Sequence, residues 1–122
     1  MTVELIPLKD RRIAIIGGAG FIGHNLALAL KSKGAQVEII DGLQVNNLLA
    51  YTSADATSNP NRDLYVKVIN QRLELLREAQ IPLHVQDARD YHALSRLLTQ
   101  INPQVIIHLA AISHAGKSNK DP

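Results

Sequence analysis

The sequence predicts an α/β fold: a parallel sheet of four strands in the order 3-2-1-4, with helices on both faces. Three observations predict it. Short apolar runs near Ile13–Ile16, Val37–Ile40, Pro82–Gln86 and Val105–Leu109 alternate with segments of helical periodicity. That alternation puts successive strands parallel through right-handed crossovers. The first run leads straight into a glycine cluster that opens a helical pattern, and an acidic residue, Asp41, closes the second run. At 122 residues the chain is one domain with a core of its own.

Taken in order, Met1 to Asp10 reads as an arm leading into the sheet, with Pro7 keeping it out of a central strand. The first strand is expected over Arg11 to Ile16. The first helix follows from Gly20 to Ser32, with Ile22, Leu26, Ala29 and Leu30 on its inner face. Lys31 and Lys33 suit the negative end of its dipole, and Gly34 stops it. Val37 to Ile40 forms the second strand. Leu43 to Arg62 is polar and reads as a long loop. A helix is expected over Asp63 to Ala79, burying Tyr65, Val68, Ile69, Leu73 and Leu76, with Arg72, Glu74, Arg77 and Glu78 mostly outward.

Pro82 to Gln86 is the third strand. Tyr91 to Ile101 is the last helix, with Leu94, Leu97 and Leu98 inward and Asn102-Pro103 as its stop. The fourth strand spans Gln104 to Leu109. Its unbroken apolar run predicts burial on both faces, and with it a structural, buried His108. A polar tail runs on to Pro122.

The spacing Gly17-x-x-Gly20-x-x-Gly23, between a strand and a helix, points to phosphate chemistry. Gly17 permits the sharp turn off the strand. Gly20, lacking a Cβ, lets a diphosphate approach the backbone. Gly23 lets the helix pack closely, and the helix N-terminus offers N–H groups and positive dipole to an anion. Asp41 lies 18 residues beyond Gly23. In a dinucleotide-binding βαβ unit a carboxylate there accepts from the adenosine ribose hydroxyls and repels a 2′-phosphate, which favours NAD over NADP. Asp41-Gly42 also reads as an ordinary turn-forming pair. A dinucleotide is expected over the C-terminal strand ends, at the switch between strands 1 and 4.

Composition narrows the classes. There is no cysteine, hence no disulfide framework and no thiolate metal site, and no metal ligands are assigned. The 13 basic and 11 acidic residues are interspersed, and one Phe, three Tyr and no Trp leave little for stacking bases, so nucleic acid is not an expected partner. No stretch has the length of a membrane span and no signal-peptide pattern opens the chain, so a cytoplasmic location is expected.

Together these residues resemble the extended short-chain dehydrogenase/reductase family, and within it the NAD-dependent sugar-nucleotide epimerases and dehydratases of the UDP-galactose 4-epimerase type. The resemblance rests on Gly17-Gly18-Ala19-Gly20-Phe21-Ile22-Gly23, Asp41-Gly42-Leu43, Asp87-Ala88-Arg89-Asp90 and His108-Leu109-Ala110-Ala111, then Ser118 and Asp121-Pro122. It implies a Rossmann-type fold. It also implies that Gly17, Gly20, Phe21 and Ile22 line a diphosphate site and that Asp41 holds the ribose. Asp87 would take the adenine amino group, Ala88 would touch the ring, and Leu109, Ala110 and Ala111 would pass under the cofactor. Other roles stay open: Asp87 as a helix N-cap, and Leu109 to Ala111 as packing residues. Some members of that family carry a lysine at the position of Ser113. Serine supplies no such charge, and His114 and Lys117 read as solvent-facing.

The family's chemistry uses a tyrosine with a lysine four positions later. Tyr51, Tyr65 and Tyr91 are followed at that spacing by Asp55, Ile69 and Ser95, so no catalytic residue is assigned. The expectation is an N-terminal, NAD-binding portion of a longer epimerase or dehydratase with a nucleotide-sugar substrate, incomplete relative to the family fold and inactive alone. The alternative is a stand-alone NAD-binding regulatory or scaffold module. Exposure of the fourth strand's apolar edge predicts self-association.

Overall fold

The apolar runs form strands and the periodic segments form helices, as seen in a computed structural model that describes residues 7–44 and 60–109. The order is β1 (Arg12–Ile16), α1 (Phe21–Ser32), β2 (Gln36–Asp41), α2 (Arg62–Glu78), β3 (Leu83–Val85), α3 (Tyr91–Ile101) and β4 (Val105–His108). The sheet order is β3-β2-β1-β4 and every pairing is parallel. The Rossmann-type order expected from the sequence is therefore present. Expected segments at 1–6, most of the loop (45–59) and the tail from 110 onward lie outside the described residues.

Register brings the strand ends together. Ile16 pairs with Ile40 on one side and His108 on the other, and Asp41 pairs with Val85. At the opposite end the Arg12 N–H donates to Gln104 Oε1 at 3.0 Å, and Arg12 Nε donates to the Asn102 carbonyl at 2.9 Å. These contacts tie the start of β4 to the start of β1.

The two faces are filled by different helices, because side chains alternate along a strand. Ile13, Ile15, Val37 and Ile39 pack with Ala27 of α1 and Leu76 of α2. On the other face Ile16 and Ile40 pack with Leu94 of α3, supported by Leu97, Leu98 and Ile101. Ile15, Ile39 and Ile40 are fully buried. Each contributes about 1.5–3 kcal/mol by leaving water, which is why β1 and β2 read as nearly unbroken apolar runs.

β4 departs from the expectation. Its residues alternate between half-buried and exposed, and Ile106 is 50% exposed. Val105 and Ile107 pack on the α1/α2 side, whereas α3 reaches Ile16 and Ile40 but not Ile106. His108 shares the uncovered face and is exposed, so it is not a buried structural histidine.

Two helices are rotated from the expected faces. In α1 the buried residues are Gly23, His24 and Ala27, while Ile22 is 69% exposed and Ala29 is exposed. Gly23 sets that rotation: a Cβ there would lie 2.6 Å from Gly18 Cα, so this position must face the turn. Each residue turns a helix by about 100°. The inward stripe therefore centres on Gly23, Ala27 and Leu30; of the expected inner residues Leu26 and Leu30 pack on the core, whereas Ile22 and Ala29 do not. In α2 the stripe is Ile69-Leu73-Leu76, and Tyr65 and Val68 are exposed. Arg72 lies at the edge of this stripe on the helical wheel, next to Leu76, and reaches inward to the Ala19 carbonyl rather than outward.

Helix ends follow local chemistry. Gly34 adopts φ +93°, and the N–H groups of Gly34 and Ala35 return to the carbonyls of Lys31 and Leu30. Asn102 closes α3 in the left-handed region, with its N–H on the Leu98 carbonyl and Pro103 behind it.

Candidate functional site

The site is built where β1, β2, β3 and β4 all end. Gly17 leaves β1 with φ +82°, a left-handed conformation that favours glycine, and its N–H donates to the Ile40 carbonyl at 2.7 Å. Gly18, given no role in the sequence reading, is equally constrained. A Cβ there would fall 2.8 Å from Ile39 Cγ1 and 3.0 Å from the Ile15 carbonyl oxygen. Its signal in the sequence was the doubled glycine at a strand end.

Gly20 is different. A Cβ built on it meets nothing closer than the Gly17 carbonyl oxygen at 3.5 Å. A Cβ there would make only this one ordinary contact among the described residues, and Gly20 is also the N-cap of α1, with no side-chain cap. The positive end of α1 is thus approachable by an anion across a residue without a side chain. Phe21, 71% exposed, and Ile22 flank that opening. His24 sits behind it, buried, with Nδ1 donating to the Gly20 carbonyl at 3.0 Å and its ring edge-on to Phe21. Nothing in the sequence singled out His24, because an isolated histidine on a helix carries no periodic signal.

Asp41 ends β2 beside this turn. Its Oδ2 accepts the Ala19 N–H at 3.0 Å and its Oδ1 accepts the Leu43 N–H at 2.7 Å. The second of these is a turn-forming bond across Gly42, so the turn reading and a binding role coexist. A carboxylate has about four acceptor positions, and these two bonds leave capacity for two hydroxyl donors. Gly42 is itself confined: a Cβ there would lie 3.0 Å from Gln44 Oε1 and 3.5 Å from Asp87 Cα. The ends of β2 and β3 therefore meet at this glycine.

Arg72 reaches the turn from α2. Its Nη1 donates to the Ala19 carbonyl at 3.1 Å, and its Nε is buried without a partner. Burial pulls its pKa below the ordinary arginine value, and the neighbouring Asp41 carboxylate opposes that shift. The arginine missed by sequence periodicity is thus part of the site.

Asp87 follows β3. Arg89 grips its carboxylate, with Nη2 on Oδ2 at 2.8 Å and the Arg89 N–H on Oδ1 at 2.9 Å. The Arg89 side chain, its backbone N–H and the Gln44 side chain hold this carboxyl well below the usual aspartate range. The N-cap of α3 is Asp90, whose Oδ1 accepts the Ala93 N–H at 3.1 Å, so Asp87 is not a helix cap. Ala88 is half-buried against the cluster of Ile16, Ile40 and Leu94. The Leu109 N–H donates to the Ile16 carbonyl at 2.7 Å, which carries the β4 end alongside the glycine turn. Ala110, Ala111, Ser113, His114, Lys117 and Ser118 lie outside the described residues.

Glycine turn, helix terminus, Asp41 and Asp87 thus adjoin one another at the C-terminal strand ends, beside the switch between β1 and β4, the arrangement of a Rossmann-type α/β protein. The residues present fit a dinucleotide: open backbone for a diphosphate, and a carboxylate with spare acceptors for a ribose. The chain belongs to the family described as GDP-mannose 4,6 dehydratase, whose pattern it matches over residues 14–122. It is 29% identical over 112 residues to the UDP-glucose 4-epimerase of Neisseria meningitidis serogroup B, covering 92% of this chain and 27% of that protein. It is 30% identical over 110 residues to the bifunctional protein GAL10 of Pachysolen tannophilus, covering 90% of this chain and 13% of that one.

The fold is that of UDP-glucose 4-epimerases solved with NAD. The Thermus thermophilus enzyme superposes with a TM-score of 0.59 at 22% identity, over 91% of this chain and 27% of that one. The Brucella ovis enzyme gives 0.60 at 22% identity, over 92% and 26%. The kinship with sugar-nucleotide epimerases and dehydratases is thereby established, and the chain spans about a quarter or less of these relatives' lengths.

Proposed function

We propose that the chain binds NAD in this crevice and supplies the dinucleotide-binding portion of an epimerase or dehydratase acting on a nucleotide-linked sugar. One observation carries the reading. The approachable N-terminus of α1, behind the bare Gly20, stands next to the Asp41 carboxylate, which retains acceptor positions. A diphosphate and a ribose are joined at that kind of spacing in a dinucleotide.

In this reading Gly17, Gly20, Phe21, Ile22 and Gly23 form the diphosphate cradle. Asp41 accepts from the ribose, with Gly42 letting the ends of β2 and β3 close up beside it. Asp87 and Ala88 border the adenine, and Leu109 runs beneath the cofactor. Bound NAD supplies a reversible hydride acceptor. The residues here bind and orient it, and none moves the substrate proton. No tyrosine in the 122 residues has a lysine four positions on, so we infer that the chain alone does not turn over nucleotide sugars.

Calorimetric titration with NAD tests the binding. Asp41→Ala removes the ribose acceptor and is expected to weaken NAD at least about tenfold. Unchanged affinity in that variant overturns the assignment. A stand-alone NAD-binding module is the second reading, since the same fold serves many functions. Reading the coding sequence beyond Pro122 separates the two, because only an enzyme continues into that motif.

A further inference from the structure

Ala19 of the glycine turn is gripped at both ends. Asp41 Oδ2 takes its N–H at 3.0 Å, and Arg72 Nη1 gives to its carbonyl at 3.1 Å. An anion and a cation therefore flank a single residue of the turn. They sense one another, since the Asp41 charge favours the charged form of Arg72. The guanidinium is also under-used, because its Nε is buried without a partner.

This matters for what the crevice accepts beside Asp41. A lone carboxylate at the end of β2 repels a phosphate on the ribose 2′-oxygen, whereas an arginine nearby accommodates it. A 2′-phosphate brings about two negative charges at neutral pH. Here a carboxylate and a guanidinium flank the same residue, and opposite charges that close offset one another's field. Half-burial shields Arg72 from the screening that would make it irrelevant.

We propose that Arg72 is a specificity-determining residue of the dinucleotide site: it offsets the Asp41 charge, so that NADP is handicapped against NAD far less than Asp41 alone would dictate. This rests on the dinucleotide reading above. Arg72 acts on the ribose 2′ position, while the glycine turn and α1 act on the diphosphate common to both cofactors.

The test is titration of NAD and NADP into the 122-residue chain and its variants, with folding checked by circular dichroism. Arg72→Gln is expected to raise the ratio of NADP to NAD dissociation constants about tenfold, the worth of one charge-assisted hydrogen bond. Arg72→Lys keeps the charge and is expected to hold the ratio near its wild-type value. A folded Arg72→Gln that weakens both cofactors equally overturns the proposal, because Arg72 then only braces the turn. Should Arg72→Gln not fold, Asp41→Asn reads the same balance. With Arg72 uncompensated, preference inverts to NADP, and a retained preference for NAD overturns the proposal. A wild-type chain that binds neither cofactor defeats the dinucleotide reading itself, an outcome distinct from an unchanged ratio.

Discussion

Replacing Gly23 with alanine sets two known effects against each other, and the structure says which wins. Within a helix, Gly→Ala is ordinarily stabilising by about 1 kcal/mol, because alanine loses less backbone entropy. Gly23 lies inside α1, so propensity alone predicts a more stable protein. The geometry predicts the reverse. The added Cβ would sit 2.6 Å from Gly18 Cα, 2.7 Å from the Gly17 carbonyl oxygen and 2.8 Å from Gly18 C. Ordinary carbon contacts begin at about 3.5 Å, so α1 must retreat by about 1 Å. All three neighbours are backbone, and no rotamer change relieves them.

Overpacking of this kind costs about 1–3 kcal/mol. With rigid partners the upper end applies, and after the propensity gain the net loss is about 2 kcal/mol. That corresponds to roughly 10 °C in Tm for a domain of this size. Gly20→Ala is the matched control. Its Cβ meets nothing inside 3.5 Å, and its backbone, at φ −76° and ψ −179°, suits any residue. Stability is expected to change by no more than about 1 kcal/mol, while NAD affinity falls because the methyl occupies the approach to α1. Thermal unfolding by circular dichroism, paired with NAD titration, separates the two. A Gly23→Ala protein that melts at or above the wild-type temperature would show that α1 accommodates the methyl without a clash.

Three further outcomes follow from the same geometry. Asp90→Ala removes the side-chain cap of α3 and is expected to cost about 1 kcal/mol, read as a lower urea midpoint with an unchanged slope. The Asp87 carboxyl, depressed by Arg89, favours the folded state above the ordinary aspartate pKa of 3.8, and that contribution is lost as pH falls through the lower folded-state value. Stability from this group is therefore flat from pH 7 down to about 5, and Arg89→Gln is expected to return the Asp87 titration, followed by carboxyl NMR, toward its usual range. Finally, we propose that β4, an edge strand among the described residues, pairs chains, so Ile106→Lys, a charge placed at a half-exposed edge position, is expected to lower the mass measured by light scattering at high concentration. A wild-type chain that stays monomeric there removes the basis for that prediction.

The architecture, and which residues gather at the C-terminal strand ends, were legible in the sequence alone. Apolar runs of strand length alternating with helical periodicity admit little besides a parallel sheet, and handed crossovers place the glycine turn after the first strand beside the end of the second. Gly17, Gly23 and Asp41 were legible because each satisfies a local rule: a left-handed turn, a close contact, a carboxylate at the end of the next strand. Tertiary structure decided what local rules do not reach. Helix rotation came from Gly23 pressing on Gly18, which turned Ile22 and Ala29 outward against an equally good apolar pattern. The exposure of Ile106 and His108 depended on how far α3 extends over the sheet, a matter invisible in the composition of β4. Arg72 read as a solvated charge because periodicity weighs apolar residues only. Its role arises from a hydrogen bond spanning 53 residues of chain, and a partner that distant leaves no trace in the spacing of its neighbours.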